Sequence, residues 1–312
     1  MNPLGQSPAG DVPRELAHVT PEVRDRLAVR FGAEVLRWCD ELPDLVRELA
    51  ARWDLEPVAA GGGGTSRVFR CVRRDAGASV WLKLTPESAL AREEAEALRA
   101  WAGTPSVVTL LAEDAVAGAL LLEDVEPGVP VRQSAWNLPE VAALLRDLRV
   151  SPPGPGEYSV VRPLTHRIGF LFDLVDRRLT ATRVNGLDVS AVLGRARASA
   201  LELAAGGPVA LVHGDLHPAN VLSGPGARMV AIDPRPAWGD PDFDAVDWVL
   251  DGVADPAVLE RRVARLAALV PGMSPERVLG WCGALSALIA VPGVCAGRDD
   301  AETRFLMTLA GG

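Results

Sequence analysis

Lysine is almost absent from this 312-residue chain: Lys83 is the only one, and the other 31 basic residues are arginines. The net charge of −9 argues against nucleic acid or an anionic membrane as the main partner. Cysteine is scarce as well. Cys39, Cys71, Cys282 and Cys295 form no CxxC pair and lie in apolar segments. They exclude a disulfide framework and read as reduced core thiols of a cytoplasmic protein. The opening residues, MNPLGQSPAGDV, hold no basic cluster and no apolar run, so no secretory leader is expected. The longest apolar stretch, GALSALIAVPGVCAG, is shorter than the roughly 20 residues of a membrane span and is interrupted by Pro292. It reads as a buried helix and its end.

What is present is a chain that is 48% hydrophobic and long enough for two lobes. Residues 1–13 read as a flexible tail, 14–125 as N-terminal helices with a β-rich lobe, and 126–312 as a mostly helical lobe. The stretch from Pro21 to Leu55 has helical periodicity, with Pro43 expected to separate two helices. Short β-type runs follow (VAAGGGG, RVFRCVR, SVWLKL, VVTLL, ALLLEDV), interrupted by one helix at about 86–102. Beyond 137 the pattern is helical except at 209–233, where short strands flank a polar loop.

Four features carry chemistry. Gly61, Gly63, Ser66 and Val68 fall on a GxGxxSxV spacing between two strands, where backbone N–H groups can approach phosphate oxygens. Lys83 follows on the next strand, sharing a face with Trp81. On the helix, Glu94 sits inside the apolar stripe of Leu90, Ala97, Leu98 and Trp101, while Glu96 faces away. A carboxylate on a buried face needs a cation, and Lys83 is the natural one. The fourth feature is LVHGDLHPANVL, in which Asp215 and Asn220 stand in a D-x4-N spacing, with Asp233 closing the later apolar run MVAID. Phosphoryl transfer needs a carboxylate to take the acceptor's proton, a role that fits Asp215. It also needs oxygen ligands for Mg²⁺, which fits Asn220 and Asp233. His213 reads as a brace. The rival is a metallohydrolase cluster of His213, Asp215 and His217, but only His18 and His166 remain as further histidines, and it leaves Lys83 and the glycine loop without a role.

In this order the motifs resemble the aminoglycoside phosphotransferase family, and more narrowly its streptomycin and hydroxyurea kinase branch. The most specific matching parts are HGDLHPANVL and AIDPRPAWGDPDFDAVDW, with RWCDELPDLVRELAARWDL, EEAEALRAW and ALLLEDVEPGVPV before them. The resemblance implies an α+β, bilobal protein-kinase-like fold, with a small β-rich N-lobe carrying one key helix and a larger helical C-lobe. It implies ATP and Mg²⁺ as cofactors, Asp215 as base, Asn220 and Asp233 as magnesium ligands, and Lys83 on the α/β-phosphates with Glu94 positioning it. Leu122, Glu123 and Asp124 would form the adenine hinge, and His213, His217 and Asp244 would support the loop. Asp240 and Asp242, with the RPAW segment, are expected at a pocket for a cationic hydroxyl acceptor such as streptomycin, on a monomer. Hydroxyurea, an amino sugar or another metabolite stays open as acceptor, as does a nucleotide-binding module without turnover.

Overall fold

The structure is a computed structural model, and it describes residues 16–62, 64–154, 158–179, 183–184 and 187–311. The 1–13 tail and Gly63 lie outside them. The chain divides into two units, one of residues 1–95 and 109–124, the other of 96–108 and 125–312.

The first unit opens with helices α1 (Pro21–Phe31) and α2 (Val35–Arg52). The break between them is Gly32, whose φ of 86° ends α1, and not Pro43, which lies inside α2. Leu42, Val46 and Leu49 form a continuous buried stripe through that proline. Packing of this face outweighs the single backbone hydrogen bond that Pro43 removes. Five strands follow: β1 (Leu55–Gly61), β2 (Arg67–Arg73), β3 (Ser79–Leu84), β4 (Leu110–Asp114) and β5 (Ala119–Glu123), with helix α3 (Ser88–Ala100) inserted after β3. They form one antiparallel sheet in the order β1-β2-β3-β5-β4. Alternation divides it into two faces. Phe69, Cys71, Val80, Leu82, Leu84 and Leu121 pack with α1 and α2 in one core. The opposite face carries Val68, Arg70, Trp81 and Lys83, because the register sets Val68 across from Lys83 and Arg70 across from Trp81.

In the second unit the elements are β6 (Val129–Pro130), α4 (Leu138–Asp147), α5 (Leu164–Arg178), β7 (Arg183–Val184), β8 (Leu187–Asp188), α6 (Val189–Ala205), β9 (Ala210–Val212), β10 (Val221–Ser223), β11 (Met229–Ala231), β12 (Ala237–Gly239), α7 (Val246–Leu250), α8 (Pro256–Leu269), α9 (Pro275–Cys295) and α10 (Ala301–Gly311). Asn137 and Glu140 make a capping box at the start of α4, a motif whose loss costs about 1 kcal/mol. Residues 96–108 belong here: the Trp101 indole donates to Leu148 O at 2.8 Å and Ser106 to Asp147 at 2.6 Å. Glu96, expected to face away, accepts from the Ser159 hydroxyl and from Val160 N.

The apolar stretch expected to end at Pro292 runs on to Cys295, so α9 has 21 residues and would suffice in length and composition to cross a membrane. More than half of its apolar window is buried, and α9 packs along α6, α8 and α10. Trp281, Cys282 and Ser286 are wholly inaccessible, so α9 is the central helix of this unit. Cys39, Cys71 and Cys282 are buried free thiols and Cys295 is half-buried. Burial pushes the thiols of Cys71 and Cys282 up to about 12.

Candidate active site

Each unit holds a set of the residues singled out from sequence. In the first, the turn from β1 to β2 contains Gly61, Gly62, Gly64 and the buried Ser66. Gly61 is required sterically, since a Cβ there would stand 2.7 Å from Val68 Cγ2 and 3.1 Å from the Trp81 ring. Gly62 and Gly64 have open space around them. Lys83 Nζ lies 2.6 Å from both carboxylate oxygens of Glu94, and the two residues are 4% and 1% exposed. This is an ion pair out of water, held bidentately between β3 and α3. Beside it the Trp81 indole donates to Asp124 at 2.7 Å, and Arg70 reaches the same carboxylate at 3.0 Å. Of the hinge candidates, Leu122 is buried within β5, and the Glu123 amide already donates to Thr109 O. Glu123 also accepts from Thr109 N.

The second set surrounds the loop between β9 and β10. Asp244 accepts from the amides of His213 (2.6 Å) and Gly214 (2.9 Å), clamping the loop at its root. Gly214 has φ of 74°, and a Cβ there would lie 2.1 Å from Arg235 O, so only glycine fits. Burial pushes Asp244 up to about 7, opposed by these two N–H donors. His213 is completely buried and stacked near Trp101, with ring centroids 6.3 Å apart. Its Nδ1 accepts from Asp215 N and its Nε2 faces Ile232 O at 3.1 Å. That pattern requires the neutral tautomer with hydrogen on Nε2, in keeping with desolvation lowering its pKa to about 4. His217 Nδ1 accepts from Ala219 N and caps the 3₁₀ turn at Pro218–Asn220. Both ring nitrogens of His213 are engaged with backbone, so the zinc-type cluster considered from sequence does not form.

Asp215 projects from this loop with its side chain about one-third exposed. Its Oδ1 accepts from Arg167 at 3.2 Å and its Oδ2 from the Asn220 amide at 3.2 Å. The register Val221↔Ala231 brings Asn220 opposite Ile232, whose amide donates to Asn220 O. Asn220 and Asp233 therefore emerge at the same end of the β10–β11 pair. Asp233 has φ of 56°, an uncommon left-handed conformation for a side-chain-bearing residue, and it pairs with Arg235 at 3.3 Å. Asn220 commits its amide nitrogen to Asp215, which leaves its carbonyl oxygen able to accept a cation. Among the described residues no three His, Cys, Asp or Glu gather as a metal site. That donor set suits Mg²⁺, which takes one or two protein oxygens and completes its shell from phosphate and water.

Two expectations are corrected. Asp240 and Asp242 do not line an open pocket: they are 0% and 1% exposed. Asp240 accepts from Arg277 Nε and the Trp281 indole at 2.7 and 2.8 Å, and Asp242 accepts from Arg149 and Ser274 N. The RPAW segment is likewise built into the fold's own pairing and is not a loose insert. Ala237 and Trp238 belong to β12, paired with β9, while the Arg235 amide donates to His213 O. Sequence reasoning missed Arg167 and the direct Arg235–Asp233 pair. No spacing marks Arg167, whereas Arg235 stands two residues from Asp233 and lay within reach of a local reading.

The sequence model of the aminoglycoside/hydroxyurea antibiotic resistance kinases matches residues 52–294. The chain is 31% identical to the streptomycin 6-kinase of Streptomyces glaucescens over 290 residues, covering 86% of this chain and 88% of that one. It is 32% identical to the hydroxyurea phosphotransferase of Kitasatospora aureofaciens over 285 residues, 87% and 76% of the two chains. Among solved structures, the choline kinase LicA from Streptococcus pneumoniae superposes with a TM-score of 0.58 at 16% identity, over 86% of this chain and 98% of that one. A thermostable variant of aminoglycoside phosphotransferase APH(4)-Ia with ADP and hygromycin B gives 0.53 at 17%, over 85% and 97%. The fold is thus α+β and protein-kinase-like, and the chemistry is phosphoryl transfer to a hydroxyl. The chain belongs to the aminoglycoside/hydroxyurea antibiotic resistance kinase family.

Proposed function

We propose that this kinase transfers the γ-phosphoryl group of ATP to a hydroxyl of an aminoglycoside, with streptomycin the first candidate. The observation that carries the reading is Asp215, an accessible carboxylate held at both oxygens on a loop whose other polar side chains, His213, His217 and Asn220, are engaged within the chain. Asp215 takes the proton of the attacking hydroxyl, so the oxygen gains nucleophilic character as it meets phosphorus. Asn220 and Asp233 would hold magnesium, which when bound offsets charge on the phosphate oxygens. Lys83 contacts the α- and β-phosphates, and Glu94 fixes the direction of its ammonium. Gly61 with its neighbours covers the phosphates, and Trp81 offers an aromatic surface on the Lys83 face. In this scheme the protein contributes mainly position and electrostatics.

Hydroxyurea stands second, favoured by a specific feature. With Asp240 and Asp242 paired inside the fold, neither carboxylate is available to attract a polycation, and a small uncharged acceptor needs none. The deciding experiment is ADP release from Mg-ATP with streptomycin, other aminoglycosides, hydroxyurea and free amino sugars, with Asp215→Ala alongside. Turnover on one acceptor that disappears in Asp215→Ala is expected. Near-native turnover by Asp215→Ala would remove the assigned base, and silence on every acceptor with ATP still bound would favour a nucleotide-binding module.

A further inference from the structure

We infer that Arg167 is a positioning residue for phosphoryl transfer, holding Asp215 in the orientation from which its carboxylate takes the acceptor's proton. The inference rests on the reading of Asp215 as the base. Arg167 comes from α5, distant in sequence from the loop, and its side chain is 12% exposed. One guanidinium makes two contacts: Nε donates to Gly214 O at 3.1 Å and Nη2 to Asp215 Oδ1 at 3.2 Å.

A lone aspartate carboxylate turns in a broad torsional well about its terminal bond. Here Arg167 holds one oxygen and the Asn220 amide holds the other. The lone pairs left over then point in set directions, which is what a base needs before a hydroxyl arrives. The Gly214 peptide is fixed in the same way, its amide on Asp244 and its carbonyl on Arg167. Phe170, one turn along α5, lies with its ring centroid 5.8 Å from the Arg167 guanidinium carbon and steadies it from another side. An arginine is required because two N–H groups of a planar fork serve two acceptors on adjacent residues. A lysine ammonium supplies a point charge and cannot reproduce the fork.

The test measures ADP release from Mg-ATP, with water alone and with streptomycin as acceptor, for Arg167→Ala, Arg167→Gln, Arg167→Lys and Asp215→Asn. In Arg167→Gln, kcat is expected to fall about tenfold to a hundredfold while KM for Mg-ATP stays within about twofold. Guanidinium chloride at tens of millimolar should restore part of the turnover of Arg167→Ala, and sodium chloride at equal ionic strength should not. Arg167→Lys keeps charge and stem, so it reports on the fork even if the alanine variant folds poorly; it should fold and remain impaired. Turnover of Arg167→Gln or Arg167→Lys near wild type, with Asp215→Asn inactive, would overturn the inference and leave the base in place. Losses that merely track loss of folded protein, with no rescue, would overturn it as well. Wild-type turnover by Asp215→Asn is the separate result that removes the base.

Discussion

Lys83 and Glu94 sit 2.6 Å apart with almost no exposure, so each neutralises a charge that water does not solvate. Removing one partner of such a pair costs about 3–5 kcal/mol, whereas replacing both with apolar side chains is often neutral or stabilising. Glu94→Gln should therefore lower the urea midpoint sharply and reduce turnover. The double variant Lys83→Met/Glu94→Leu should regain most of the stability and none of the activity. Stability and turnover recovering together in the double variant would deny Lys83 its phosphate role. This pair was legible in sequence because a single lysine in an arginine-rich chain and a glutamate inside an apolar helical stripe are both anomalies. Arg167 was not, being one arginine of 31 and 48 residues from its partner. The burial of Asp240 and Asp242 was equally hidden, because nothing local separates a carboxylate that meets arginines in the core from one that meets a ligand.

The loop between β9 and β10 is held by opposite titrations. Asp244 is raised to about 7 and His213 is lowered to about 4, both by burial. Between pH 4 and 6.5 folded Asp244 keeps a proton that the unfolded chain releases, so its contribution to stability falls as pH rises. Folded His213 lacks a proton that the unfolded chain binds, so its contribution rises over the same range. The two slopes offset each other in the wild type. In Asp244→Asn the histidine slope stands alone, so thermal unfolding should show a deficit largest near pH 4.5 that shrinks toward pH 7. A deficit that grows with pH would mean the two amide donors keep Asp244 ionised. The loop's position between short strands was legible from its apolar flanks and its D-x4-N spacing, but the clamp was not, because Asp244 lies 31 residues from His213. At helix scale the prolines misled: Pro43 and Pro292 both lie inside helices. Periodic burial along α2 and α9 decides where those helices run, and a proline rule takes no account of it.

For the whole molecule, the order of strands and helices could be read from apolar periodicity, while the placement of residues 96–108 in the second unit could not. Residues 96–108, the end of α3 and the segment after it, pack with the second unit through Trp101, Ser106 and Val108. Long-range packing of that kind leaves no local pattern. The residues assigned to nucleotide are likewise spread across the chain, and this yields a test that needs no acceptor. A ligand that binds only the folded state stabilises it by RT ln(1 + [L]/Kd), about 2.7 kcal/mol at a hundredfold excess over Kd. Mg-ATP should therefore raise the melting temperature of the wild type. Asp215→Asn should show nearly the same rise, since the base meets the acceptor and not the nucleotide. Lys83→Met and Asp233→Asn should show little or none, and chelating magnesium should remove the wild-type rise. Loss of the rise in Asp215→Asn with its retention in Lys83→Met would reverse the assigned roles, placing nucleotide recognition on the loop and leaving Lys83 as one half of a structural pair.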